Sequence, residues 1–334
     1  MPRDDRLPFA DPLRDARRAV RDGRFADAVR LLDAADAAVR GTPEALLLSA
    51  MARWRVGAFV RSRTAAVQAR DGFRARGDTD GEMRAENVAA AGAFALGDLA
   101  GAERGFTRAL GLADELGDDL MIARCANNLG NVAYYLRRSE AALSFYRLAL
   151  ANFERLGFNS GLAEGWLNTT LVLHEAGQLD ASRDAAERAV DAAERSGNER
   201  ILGQALAARS ETDVARGDVD LGRALAERAL AVARAHHHVM GEADALRIQG
   251  VIARLHGEPL EAARLLESAL AIARRIEDPW RQAECHRELG MLYRAVARDV
   301  DARAALEAAA QAFERLGAAG RAAEMRELVE GPTV

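Results

Sequence analysis

Small and apolar positions along this chain recur at helical spacing, and the whole pattern repeats every forty residues. The stretch 121–160 holds one complete copy. It carries Leu129-Gly130 in a first helix (A), then Ala142-x-x-x-Tyr146 and Ala149-Leu150 in a second (B). The slot of Gly130 on helix A holds Ala90, Thr170, Ser210, Gly250 and Gly290 in other copies. The slot of Ala149 on helix B holds Ala109, Ala189, Ala229, Ala269 and Ala309. Small residues at both slots let the helices of a pair approach closely.

Glycine punctuates the same period. The inner turn is marked by Gly57, Gly97, Gly177, Gly217 and Gly257, with Arg137 and Ala297 in the intervening slots. The end of helix B is marked by Gly77, Gly117, Gly157, Gly197 and Gly317, and two copies lack it. A helix end often requires a left-handed residue, which glycine adopts without strain. Eight pairs follow, over about 11–41, 43–77, 79–117, 118–157, 159–197, 198–237, 238–277 and 279–317, after an N-terminal extension at 1–10. The later copies predict helices of about 17–19 residues. A capping helix and tail occupy 318–334, with Met325, Leu328 and Val329 facing inward and Arg321, Glu324, Arg326 and Glu327 facing outward. Phe73, Phe153 and Phe313, each four residues before a terminal glycine, are expected to seal one repeat on the next. Trp54, Trp166 and Trp280 are expected in core or edge packing.

These landmarks resemble the tetratricopeptide repeat family. Leu289-Gly290-x-x-Tyr293 supplies its helix A pattern, Trp166 its tryptophan slot and Ala102-x-x-x-Phe106 its helix B pattern, while the closing proline is absent throughout. Forty-residue copies with an asparagine-rich helix A look most like the sensor arrays of bacterial signal-responsive regulators and the Rap-type peptide sensors. The resemblance implies an all-α, right-handed α-solenoid of about eight helix-turn-helix pairs plus a C-terminal capping helix. It also implies a concave groove lined by the A helices. Its slots two, five, six, nine and twelve would face a ligand.

Those slots are Arg124, Asn127, Asn128, Asn131 and Tyr134 in the central copy. Arg84 and Asn87 precede them; Glu164, Asn168 and His174 follow. Asparagine is a mediocre residue inside a helix, because its side chain competes for backbone hydrogen bonds. Its carboxamide both donates and accepts, so it can grip an extended peptide backbone. The alternative is that these asparagines cap turns or bond between helices. Of the adjacent tyrosines, one packs and one faces the groove, and Tyr134 is assigned to the groove. A clamp for an acidic C-terminal tail would need basic residues in the next copy, where Gln204 and Ala208 stand.

Further along, Arg247, Arg254, Arg287 and Arg294 recur at slots five and twelve, beside Asp244 and Glu284 at slot two. Arginine suits bidentate recognition of an anionic group. The alternative is an internal network of Arg–Asp/Glu pairs. His236-His237-His238 falls at a junction between copies and reads as an exposed loop rather than a metal site, since adjacent histidines at a turn point apart.

Composition then narrows the chemistry. The formal net charge is −5 with both signs interleaved, so no dedicated nucleic-acid surface is expected. All 46 basic residues are arginine, which excludes a Schiff-base lysine, a phosphate-loop lysine and a kinase-type lysine. Cys125 and Cys285 share one helix A slot four repeats apart and read as small buried residues. The N-terminus has no apolar core of a signal peptide, and no run approaches a membrane span, so a cytoplasmic location is expected. No catalytic constellation, cofactor or metal site is expected. The reading is a non-catalytic module, a scaffold or adaptor, whose groove takes a protein or peptide segment. A stand-alone peptide-responsive sensor and a self-associating homo-oligomeric scaffold are the alternatives.

Overall fold

The computed structural model describes residues 11–331, so the extension at 1–10 and the last three residues of the tail lie outside the described residues. Every regular element among them is a helix. The chain divides into two compact units at Gly157/Phe158.

The first unit opens with three short helices, α1 (Pro12–Arg21), α2 (Phe25–Asp33) and the single turn α3 (Ala37–Arg40). Longer antiparallel pairs follow: α4 (Pro43–Arg55) with α5 (Phe59–Ala75), α6 (Thr79–Ala95) with α7 (Leu99–Leu116), and α8 (Asp119–Tyr135) with α9 (Ser139–Arg155). The second unit continues the alternation with α10 (Asn159–Glu175) and α11 (Leu179–Ser196), then α12 (Glu199–Arg216) and α13 (Val219–Ala235). Its last pairs are α14 (Val239–Leu255) with α15 (Pro259–Arg275) and α16 (Pro279–Ala295) with α17 (Asp299–Arg315), closed by α18 (Ala319–Glu330). Within each unit, the helices from α4 on pack on their sequence neighbours, and A helices also touch the next A helix in line.

The helix ends explain the period. Asp78, Asp118, Asn198 and Asp278, in register forty or eighty residues apart, each cap an A helix by accepting a hydrogen bond from the amide three residues on, at 2.8–3.2 Å. After A and B helices alike the turn residue is left-handed whether or not it is glycine: Arg137 and Ala297 after A helices, and His237 and Glu277 after B helices, have φ between 53° and 60°. Tertiary packing therefore holds this turn even where the residue disfavours it.

The small slots do what their spacing predicts. Ala109, Ala149, Ala189, Ala229, Ala269 and Ala309 are all at most 1% exposed. Gly130 lies flat against the Tyr146 ring, and Gly250 and Gly290 against Leu266 and Leu306. Where the A slot carries a side chain, a serine can bridge instead: Ser62 Oγ donates to the Ala50 carbonyl at 2.8 Å and Ser182 Oγ to Thr170 at 3.1 Å. Phe73, Phe153 and Phe313 are buried as expected. Trp166 and Trp280 pack on the core, while Trp54 is partly exposed at the edge of the first unit.

The later copies have helices of 17 or 18 residues from α5 onward, as their length predicts, and α1 and α2 span 10 and 9. One expectation changes, and it concerns the cap. Met325 is buried and Leu328 and Val329 pack on the same cluster, but Arg321 turns inward rather than outward. It pairs with two carboxylates on earlier A helices and lies over the Trp280 ring at 5.0 Å.

Candidate functional site

In the first unit, α6 and α8 bring together the asparagines singled out by spacing. Asn128 Nδ2 donates to Asn87 Oδ1 at 3.3 Å, and the Cys125 thiol approaches the same oxygen at 3.6 Å. The Tyr146 hydroxyl, buried on α9, donates to Asn131 Oδ1 at 2.8 Å. Asn127 is buried, whereas Arg124 is exposed on the same helix. Interhelical bonds thus engage Asn87, Asn128 and Asn131, as the alternative reading of these residues anticipated. They use one half of each amide. The amino groups of Asn87 and Asn131 and the carbonyl of Asn128 make no hydrogen bond among the described residues.

The tyrosines extend this face. Tyr134 is half-buried and Tyr135 is 55% exposed, the more open of the two. Tyr135 meets Phe94 of α6 edge to face at 5.2 Å between ring centres and Tyr134 at 5.5 Å. The face is therefore a polar strip of half-engaged carboxamides beside an aromatic ledge. Burial pushes the Tyr146 hydroxyl well above its usual pKa and Cys125 up to about 12, so both stay protonated.

The second unit is different in kind. Asn168 on α10 is half-buried. Beyond it the arginines meet carboxylates. Arg247 reaches Glu211 on α12 at 3.0 Å, and Arg287 reaches Glu284 at 3.1 Å and Glu288 at 2.5 Å. Arg254 lies 3.6 Å from Glu288, and Arg281 grips Asp244 through two bonds of 2.7 and 2.9 Å. Arg294 donates to the Leu328 carbonyl at 2.7 Å, tying α16 to the cap. Burial opposes the charge on Glu211, but Arg247, His174 and Arg287 outweigh it and hold its pKa below the ordinary value. Burial likewise opposes the charge on Arg247, and Glu211, Glu284, Glu288 and Asp244 overcome it. Such partly buried pairs orient helices more than they add net stability.

Spacing alone missed Glu211, Glu175 and Arg321, the acidic and basic ends of this network. Glu211 follows the small residue Ser210 directly, which is slot nine, so the register did hold that signal. Of the three histidines, His236 and His237 are exposed as read, but both ring nitrogens of His238 are buried without a hydrogen-bond partner. No cluster of three His, Cys, Asp or Glu among the described residues is placed to hold a metal ion. No helix among them is long and apolar enough to cross a membrane.

The family model for the tetratricopeptide repeat matches residues 81–155, which span α6 to α9 and the asparagine face. The stretch from α6 to α9 thus carries tetratricopeptide repeats. Solved structures share this fold at low identity. A Rap protein complexed with competence and sporulation factor aligns at 13% identity over 96% of each chain, with a TM-score of 0.65. The apo form of the quorum sensor NprR from B. thuringiensis aligns at 12% identity over 95% of this chain and 96% of its own, with a TM-score of 0.59. A signal-transduction ATPase from Pyrococcus horikoshii, which carries a tetratricopeptide repeat sensor, aligns at 15% identity and a TM-score of 0.66. That match covers 95% of this chain and 48% of that one. A comparison with curated proteins finds no match. At these identities the likeness is one of fold.

Proposed function

We propose that these repeats form a non-catalytic binding module that takes a peptide or protein segment along its A helices. The observation that carries this reading is the half-engaged state of Asn87, Asn128 and Asn131. Each carboxamide is oriented through one half by interhelical bonding and keeps its other half free of hydrogen bonds among the described residues. A preoriented donor or acceptor loses little entropy when it meets an extended backbone. Tyr134 and Tyr135 add an aromatic surface with low conformational cost. Arg124 and Asn127 flank the strip, and Asn168, in the second unit, is assigned by its slot alone to contact of the same kind. Arg247, Arg254, Arg287 and Arg294 act as internal braces in this account, holding the A helices of the second unit in register.

A second reading, a peptide-responsive regulatory sensor, is favoured by the Rap and NprR structures, whose names describe a factor complex and a quorum sensor. Affinity capture with the full chain, with mass spectrometry to identify the segment, tests the binding claim. Changing Asn87, Asn128 and Asn131 to alanine should abolish capture with helicity unchanged. Retention of the segment by that variant overturns the assignment. A sensor should in addition change its scattering radius when the segment is added, and a self-associating scaffold should gain mass with concentration in sedimentation with no segment present.

A further inference from the structure

The first repeat is cut short, and the gap is chemically specific. Helix α2 stops at Asp33 after 9 residues, whereas the later B helices run 17 or 18. About two helical turns are therefore missing from its C-terminal half. The single turn α3 does not fill the space. A cavity of about 460 Å³ opens there, bounded by α2, α3, α4 and α5. That volume lies in the range of small-ligand pockets.

Its floor is apolar, made by Leu32, Ala45, Leu46 and Ala65. Its charge is predominantly positive, with three guanidinium groups, Arg40, Arg53 and Arg61, against the one carboxylate of Asp33. Arg53 has a side chain only 12% exposed and is already aimed: Nη2 bonds Asp33 Oδ1 at 2.5 Å and Nε bonds Ser49 Oγ at 2.9 Å. Nη1 of Arg53 and the hydroxyl proton of Ser49 remain to donate. Arg40 donates to the Asp33 carbonyl at 3.1 Å. Across the cavity, Arg61 makes no ion pair or hydrogen bond among the described residues. Two guanidinium forks beside an aliphatic floor match a carboxylate joined to a short hydrocarbon.

We propose that this cavity binds an aliphatic carboxylate, with Arg53 and Arg61 on the anionic head and Leu32, Ala45 and Leu46 against the chain. The site is distinct from the asparagine face and does not depend on it. Two sources share this chemistry, a free short-chain acid and the terminal carboxylate of a peptide.

The test is calorimetry on the full chain at low salt with hexanoate, hexanamide, inorganic phosphate, and an acetylated alanine tripeptide in its acid and amide forms. Hexanoate or the tripeptide acid should bind, and the two amides and phosphate should bind about tenfold more weakly or worse. Arg61→Ala should weaken the carboxylate by about tenfold or more, with the unliganded melting temperature unchanged, because Arg61 is exposed and makes no ion pair among the described residues. Tighter binding by the tripeptide acid assigns the source as a peptide end, and tighter binding by hexanoate assigns a free acid. Hydrogen exchange should show new protection in α2–α5 on the wild-type chain with the bound carboxylate, a readout that needs no variant. Absence of binding by both carboxylates, phosphate binding as tightly as either, or an unchanged affinity in Arg61→Ala overturns the proposal.

Discussion

Arg321, on the last helix, donates to Glu175 at the end of α10 at 2.6 Å, 146 positions earlier in the chain. The same guanidinium pairs with Glu284 on α16 and lies over Trp280. One side chain thus ties the cap to two A helices of the second unit and closes the network that Arg247 and Arg287 begin. Helix order in a repeat array is ordinarily a nearest-neighbour matter. This contact is an exception to it.

Replacing Arg321 by alanine should therefore lower stability by about 1–3 kcal/mol, since it takes one guanidinium away from two partly buried carboxylates. Urea unfolding measures the loss, and amide exchange should rise first in α18. A double-mutant cycle with Glu175→Gln should return a coupling energy of about 0.5–3 kcal/mol.

Gly130→Ala should destabilise the first unit by about 1–3 kcal/mol. The added methyl would land on the Tyr146 ring, which must then shift and release its bond to Asn131. The variant should bind any groove segment more weakly as well, because Asn131 loses the contact that orients it. Thermal melting and calorimetry read the two effects separately.

His238 stands at the position where Asp78, Asp118, Asn198 and Asp278 cap their helices, and it makes no cap bond. Its ring lies over Gly241, whose amide the cap would serve. Burial lowers its pKa from 6.5, with Arg200 adding to the effect. The folded chain thus takes up this proton less readily than the unfolded chain, so wild-type stability falls as pH drops through 6.5. His238→Asp should add about 0.5–2 kcal/mol at pH 7 and remove that pH slope. Denaturation across pH 5 to 8, a window spanning about one to two units either side of an ordinary histidine, checks both.

The period, the small slots and the helix caps were legible in the sequence because each is local and recurs. Even Arg137 and Ala297, which break the glycine pattern, were placed in the right turn by register alone. The asparagine cluster was legible as an anomaly, since three such residues in one helix run against helical preference. What lay beyond the sequence has no period. Arg321 reads as a solvated face on a helical wheel, and partners 37 and 146 residues away turn it inward. The cavity beside Arg61 exists because α2 ends early, an event that occurs once and leaves no repeat to compare.

The central claim, a segment bound along the A helices, is tested most directly by photo-crosslinking. A crosslinking residue replaces Arg124, exposed one turn before Asn128, or in a second variant Arg147, exposed on α9 away from that strip. With the captured segment present, the account predicts a crosslink from position 124 and none from position 147. A crosslink from position 147 alone, or equal yields from both, would contradict it.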